Sequence, residues 1–198
     1  MLKMRKGCIV PFPQKLLEGY IYREPAFIAN VDADKLETLL EQFITIHDEP
    51  LFFILEVPCQ QNEETEIVPG EVKTFHKDVY YIDGCNQEEA RNILHRTAAI
   101  LINDGLCSFG FGCHLSRDEI MVEKYNVLTV WANNKDTYAG FFEKCKIQPV
   151  DRLVTAWETF TQETPGEAIR VDTDGKSIYD IPRMLRVFGI YLAGRREG

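Results

Sequence analysis

The chain has 198 residues, of which 45% are hydrophobic and 27% are charged, and both fractions are typical of a globular protein. A chain of this length buries roughly 70% of the surface that its unfolded state exposes, so it can fold as one domain without a disulfide or a metal. Its formal net charge of −9 would be repelled by a phosphate backbone, which argues against nucleic-acid binding. No apolar run approaches the ~20 residues of a membrane-spanning helix.

The cysteines and the start of the chain indicate the compartment. The segment Met1–Lys6 is basic, but it is not followed by the apolar stretch of ~7–15 residues that a secretory signal contains. We therefore expect a cytoplasmic protein whose six cysteines stay reduced. None of them has Cys-x-x-Cys spacing, and Cys107, Cys113 and His114 have no matching second pair of ligands, so no metal site and no cofactor are predicted.

The first third of the chain predicts strands around one amphipathic helix. The aromatic and β-branched run 19–28 reads as a strand, with Pro25 at an edge position or a bulge. A helix follows, ending near His47, where an imidazolium favours the helix dipole. Asp34 and Glu37 have the spacing of a capping box. The apolar stripe of this helix recurs at helical spacing: Leu36, Leu39, Leu40, Phe43 and Ile44.

The middle of the chain completes an alternating pattern. Buried strands are predicted at 51–55 and 79–82, separated by a polar, acidic loop from Pro58 to Pro69. A second helix runs from Asn86 to Asp104, with Gly105 in the position of a left-handed cap. The strand 108–113 then gives the order strand, helix, strand, strand, helix, strand. That order predicts an α+β fold with a ferredoxin-like, split βαβ sandwich core.

The remaining residues are expected to extend this core within a single domain of 1–198, which divides into a core of 1–114 and an extension of 115–198. Further strands are predicted at 120–122 and 127–131, and a helix from Asn134 or Asp136 to Cys145. A weaker helical pattern covers 151–161. A hairpin is predicted around Asp174-Gly175, between strands at 168–171 and 177–179, and a short final helix begins near Ile181.

The glycine-rich strand Phe109-Gly110-Phe111-Gly112 follows a helix, which is the reverse of the order in a phosphate-binding loop. We interpret its glycines as positions where another backbone or an aromatic ring packs closely, with both phenylalanines on one face. A narrower alternative is that the glycines open the wall of a ligand groove.

The end of this strand carries the only candidate catalytic residues. Cys113 and His114 could form a nucleophile and its base, assisted by Asp118 or Glu119. Adjacent residues of a strand point to opposite faces, so this couple forms only if the strand ends there. The alternative function that follows is a small hydrolase or transferase.

Charge favours a different function. The segment from Asp32 to Glu66 is strongly acidic, and Glu37, Glu41, Glu63 and Glu64 are its candidate partner-binding residues. An acidic surface speeds association with a cationic partner. We therefore expect a non-enzymatic interaction module that binds a basic protein, in the manner of an inhibitor or an immunity protein.

Overall fold

The computed structural model describes residues 1–60, 66–68, 71–72 and 75–197. Most of the predicted acidic loop, including Glu63 and Glu64, lies outside the described residues. The helices are α1 (Leu36–Ile46), α2 (Gln87–Asn103) and α3 (Ile181–Met184). Among the described residues, no helix has the length and apolar content needed to cross a membrane.

Within the described residues, eight strands form one antiparallel sheet in the order β12-β7-β4-β8-β9-β10-β3-β2, and two short pairs, β1–β11 and β5–β6, lie apart from it. The strand bounds, in chain order, are β1 Cys8–Ile9, β2 Gly19–Arg23, β3 Ala26–Asn30, β4 Leu51–Pro58, β5 Glu66–Val68, β6 Glu71–Val72, β7 His76–Cys85, β8 Ser108–Cys113, β9 Glu119–Val122, β10 Val127–Trp131, β11 Glu167–Ala168 and β12 Tyr191–Glu197.

The main core lies between this sheet and the two long helices. The predicted stripe of α1 is fully buried, and α2 lies beside α1. Strand alternation turns one set of side chains toward the helices, including Phe53 of β4 and both phenylalanines of β8, Phe109 and Phe111. We call this side of the sheet the helix-covered face, and the other side the open face.

The mixed α+β class is confirmed, whereas a ferredoxin-like split βαβ core is not. One split unit is present, because β7 and β8 are parallel to each other with β4 between them and α2 connecting them. The strands on either side of α1 are separated by three others, β8, β9 and β10. Two of these, β9 and β10, come from the predicted extension, which therefore completes the same sheet instead of adding to a finished core.

The start of α1 and the end of α2 differ from the sequence prediction, whereas the start of α2 agrees with it. Asn86 and Glu89 form a capping box at the start of α2, but the expected box of Asp34 and Glu37 is absent because α1 begins after Lys35 without a side-chain cap. Gly105 is not a left-handed cap. A Cβ atom there would lie 1.9 Å from the carbonyl oxygen of Gly7, so this glycine admits a neighbouring backbone.

Two of the three helices predicted after β10 are wrong in type, whereas the short final helix is confirmed as α3. The segment to Cys145 forms two 3-10 turns, Lys135–Tyr138 and Glu143–Cys145, because its aromatic side chains pack on one another instead of along one helical stripe. The segment 151–161 holds a single 3-10 turn, Ala156–Thr159. The predicted hairpin keeps its turn, joined by one bridge between Thr173 and Lys176, but not its strands. Pro25 lies in the turn between β2 and β3 and not within a strand.

Candidate functional site

The open face of the sheet carries its own small apolar cluster. Ile54, Val79 and Met121 are buried there, and Phe52 and Tyr81 pack against them. These residues come from β4, β7 and β9 and alternate with residues of the main core. The helices lie on the other side, so this cluster forms the floor of a surface that they leave uncovered.

A cavity of about 580 Å³ opens over this floor, and we call it the open-face groove. A typical small-ligand site has a volume of about 300–1,000 Å³. The lining of the open-face groove combines aliphatic, aromatic and charged side chains: Ile54, Glu56, Lys77, Tyr81, Ser108, Glu119, Met121, Glu123, Lys124, Trp131, Trp157 and Arg196.

The carboxylates of the groove are unequally paired. Glu56 lies 3.7 Å from the Lys77 ammonium and 3.5 Å from the Arg196 guanidinium. Glu119 and Glu123 form no ion pair within the described part of the chain. Burial raises the pKa of both side chains, and the nearby Glu56 charge raises it further. The groove therefore holds two poorly solvated carboxylates whose pKa values stay raised, although the Arg196 charge lowers that of Glu119 and the Lys77 charge lowers that of Glu123.

Both tryptophans of the chain line the same groove. Trp131 is 37% exposed at the end of β10, and Trp157 is 54% exposed. Trp157 packs edge-to-face against Tyr125, with ring centroids 4.8 Å apart, and against Phe160 at 5.6 Å. Rigid, exposed aromatic rings beside charged groups are typical of binding surfaces.

We expect the double substitution Glu119→Gln/Glu123→Gln to stabilise the protein at pH 7.5 and to change its stability little at pH 4. Because the folded-state pKa of each carboxyl is raised, ionisation costs stability as the pH rises above the ordinary value of about 4.5. The melting temperature should rise by about 2–4 °C for each kcal/mol recovered. Differential scanning calorimetry at the two pH values measures this gain.

The matched control is Glu37→Gln/Glu41→Gln, which removes the same charge from the outer surface of α1. It should give no such pH-dependent gain, because Glu41 loses a contact of 3.3 Å with His95. A gain of equal size in both variants would attribute the effect to net charge instead of to burial in the groove.

The structure separates the four candidate catalytic residues by face. Cys113 points to the helix-covered side, where its thiol donates to the Asp48 carbonyl oxygen over 3.2 Å. His114 points to the open side and contacts the Phe52 ring and, at 3.3 Å, Asp83. Asp118 is buried, and Glu119 lines the open-face groove. A shallow cavity of about 230 Å³ borders all four residues.

Asp118 belongs to a buried network that the sequence analysis missed. Its carboxylate accepts hydrogen bonds from the Tyr138 hydroxyl (3.1 Å) and from the backbone N–H of Asn133 (2.7 Å), and it lies 3.6 Å from His47 Nε2. His47 is the C-cap residue of α1, as the sequence predicts, and it is 4% exposed. The sequence signal for the burial of His47 was its position four residues after Phe43, which continues the buried stripe of α1.

The predicted partner-binding residues lie elsewhere. Glu37 and Glu41 are partly exposed on α1, across the sheet from the open-face groove, and Glu63 and Glu64 are outside the described residues. Within the ranges that the structure describes, no group of His, Cys, Asp or Glu side chains could hold a metal ion.

Comparison with known proteins supplies no function to carry over. No protein-family model, no curated protein and no solved structure matches the chain. The function therefore has to be argued from the open-face groove and from the buried network around Asp118.

Proposed function

We propose that the protein is an interaction module that binds a basic protein partner without chemically changing it, of the inhibitor or immunity type, and that the open-face groove receives a cationic side chain of that partner. The observation that carries this proposal is the pair of partly buried carboxylates, Glu119 and Glu123, which form no ion pair within the described residues and lie beside two exposed tryptophans. A cytoplasmic setting belongs to the same proposal and fits the six free thiols.

A cation suits this groove for two physical reasons. Its charge would offset the repulsion among the carboxylates and replace the water that burial removed from them. An arginine guanidinium would also stack on an indole face while donating forked hydrogen bonds to a carboxylate. A partner side chain with both properties therefore gains more here than at an ordinary acidic surface.

The groove itself contains three carboxylates and three cations, so its attraction for a cationic side chain depends on how these charges are paired. Lys77 and Arg196 form ion pairs with Glu56 and compensate the charges of Glu123 and Glu119 only in part, since the pKa of both carboxyl groups remains raised. At longer range, the net charge of −9 steers a cationic partner toward the protein. Binding should therefore weaken as salt rises.

The test uses a fluorescein-labelled peptide of alternating arginine and glycine, with anisotropy measured at low salt. Glu119→Gln/Glu123→Gln should weaken binding about tenfold or more, since each lost charge-assisted hydrogen bond is worth about 1.5–3 kcal/mol. The matched pair Glu37→Gln/Glu41→Gln removes the same charge from α1 and should change the affinity less than about twofold, through long-range attraction alone.

Two results would contradict the groove as the binding site. Equal weakening in both pairs would mean that the peptide responds only to net charge. Greater weakening in the α1 pair would place the docking surface at Glu37 and Glu41, the residues that the sequence alone suggests.

A further inference from the structure

The turn that leads from β8 to β9 places a serine hydroxyl next to a buried imidazole. Ser116 Oγ lies 3.4 Å from His47 Nδ1, and His47 Nε2 lies 2.8 Å from the Tyr138 hydroxyl. That hydroxyl lies 3.1 Å from Asp118 Oδ2. These four residues, which we call the Ser-His-Tyr-Asp chain, connect α1 with the β8–β9 turn and the segment after β10.

The direction of each hydrogen bond follows from the last acceptor. An ionised Asp118 can only accept, so the Tyr138 hydroxyl donates to it. The tyrosine oxygen then accepts from His47 Nε2–H, which leaves the lone pair of Nδ1 directed at Ser116. The Ser116 oxygen also accepts from the Asp118 amide over 3.3 Å, so its proton is free to point at the imidazole.

The imidazole is in the form that a general base requires. His47, Tyr138 and Asp118 are 4%, 3% and 2% exposed. Burial lowers the pKa of His47, against the opposing effects of the Asp118 and Asp48 charges. His47 is therefore neutral near pH 7, and only a small part of its side chain reaches the cavity that Ser116 lines.

The serine, in contrast, reaches a cavity. Ser116 is partly exposed and lines a space of about 220 Å³ together with His47, Asn134 and Thr137. The Asn134 side-chain oxygen accepts from the Asp136 amide, so its NH₂ group remains a donor. Arg117 follows with φ at 63°, a left-handed conformation that costs about 1–2 kcal/mol in a residue with a side chain.

We propose that this cavity is a serine-type acyl-transfer site that hydrolyses small esters, an activity separate from partner binding in the open-face groove. Ser116 is the nucleophile and His47 the general base, while Tyr138 and Asp118 are positioning residues. The volume admits a short acyl group such as acetyl or butyryl, since drug-sized ligands occupy about 300–1,000 Å³.

The chemistry balances with an ester and water as the only reactants. Ser116 Oγ bonds to the ester carbonyl carbon as its proton passes to His47 Nδ1. The ester C–O bond then breaks, and the proton on Nδ1 goes to the departing alkoxide. A water molecule next attacks the acyl-serine and gives its proton to Nδ1. The carboxylic acid leaves, and that proton returns to Ser116.

The test is covalent labelling of the intact protein with a fluorophosphonate probe, mapped by peptide mass spectrometry. We expect a single adduct on Ser116, none in Ser116→Ala, and unchanged labelling in Ser177→Ala. The control serine lies 3.3 Å from an Asp180 carboxylate oxygen, in a capping box without an imidazole. Labelling should slow as the pH falls and His47 becomes protonated.

A positioning role predicts more than a loss of rate. Tyr138→Phe removes the acceptor of His47 Nε2–H and should slow labelling about tenfold or more, with a shifted pH midpoint and a folded circular dichroism spectrum.

p-Nitrophenyl acetate should be hydrolysed faster than the octanoate ester. The inference is overturned if wild-type protein shows no adduct on Ser116 between pH 5 and about 9, or if His47→Gln is labelled at the wild-type rate. Neither result bears on binding at Glu119 and Glu123.

Discussion

Arg5→Ala should lower the free energy of unfolding by about 3–5 kcal/mol, the cost of disrupting a buried, hydrogen-bonded charge. Arg5 is 1% exposed, although arginine is rarely buried completely. Its guanidinium also lies 5.8 Å from the centre of the Phe109 ring. It donates to four backbone carbonyl oxygens, those of Leu101 (2.8 Å), Glu123 (2.9 Å), Ile102 (3.2 Å) and Cys107 (3.3 Å).

The effect is large because these carbonyls belong to different parts of the fold. Arg5 connects the start of the chain with the end of α2, the loop before β8 and the end of β9. Alanine would leave buried acceptors without donors and would add a cavity. The free energy of unfolding of Arg5→Lys should fall between those of the wild type and Arg5→Ala, because one ammonium cannot reproduce the planar hydrogen-bonding geometry of the guanidinium.

Urea denaturation followed by circular dichroism measures this effect. The matched control is Lys6→Ala, at an exposed neighbouring position, which should change stability by less than about 0.5 kcal/mol. An Arg5→Ala variant as stable as the Lys6→Ala variant would mean that the guanidinium does not hold these segments together.

Gly110→Ala should cost about 3 kcal/mol or more, at the upper end for overpacking. A Cβ atom at this position would lie 1.8 Å from the Ile120 carbonyl oxygen and 2.9 Å from Met121 Sδ. The first of these atoms is backbone in the centre of the sheet, so relief would require β8 and β9 to separate.

Two other glycines serve as comparisons in the same urea experiment. Gly194→Ala should be close to neutral, because no atom lies within 4 Å of the added Cβ. Gly112→Ala should cost less than Gly110→Ala, because its Cβ would meet the ring of Phe52, a side chain that can turn aside. A Gly110→Ala variant that unfolds at the wild-type urea concentration would contradict this account of the sheet.

Local patterns predicted the parts of the fold that local physics determines. The stripe on α1, the start of α2 and the buried strands β4 and β8 follow from periodicity and capping. The reading of the β8 glycines is also confirmed, since Gly110 admits a backbone and Gly112 an aromatic ring. The helix and strand features depend on residues close together in the sequence, and the glycines were recognised by residue type although their contacts are with other strands.

Strand order could not be read in the same way, because it depends on contacts between distant segments. The pairing of β10 with β3 joins residues about a hundred positions apart and separates the strands that flank α1. β12 was missed because every residue of this edge strand is exposed, which removes the alternation that marks a half-buried strand. Arg195 and Arg196 lie in that strand.

The two candidate sites could not be predicted from the sequence either, because each combines residues from distant segments. The open-face groove combines side chains of β4, β7, β9, β10 and β12 with Trp157, and no short motif contains them. Its floor and its charged residues also follow the ordinary alternation of strand side chains. Ser116 lay within the predicted region of chemistry, but its partner His47 comes from the end of α1.

Tryptophan emission during titration with the arginine–glycine peptide tests the central claim most directly, because both tryptophans of the chain line the open-face groove. We predict a saturable change in emission that is reversed by high salt and lost in Glu119→Gln/Glu123→Gln. A rise in peptide anisotropy without any change in emission would show that the peptide binds elsewhere and would contradict the groove as the docking site.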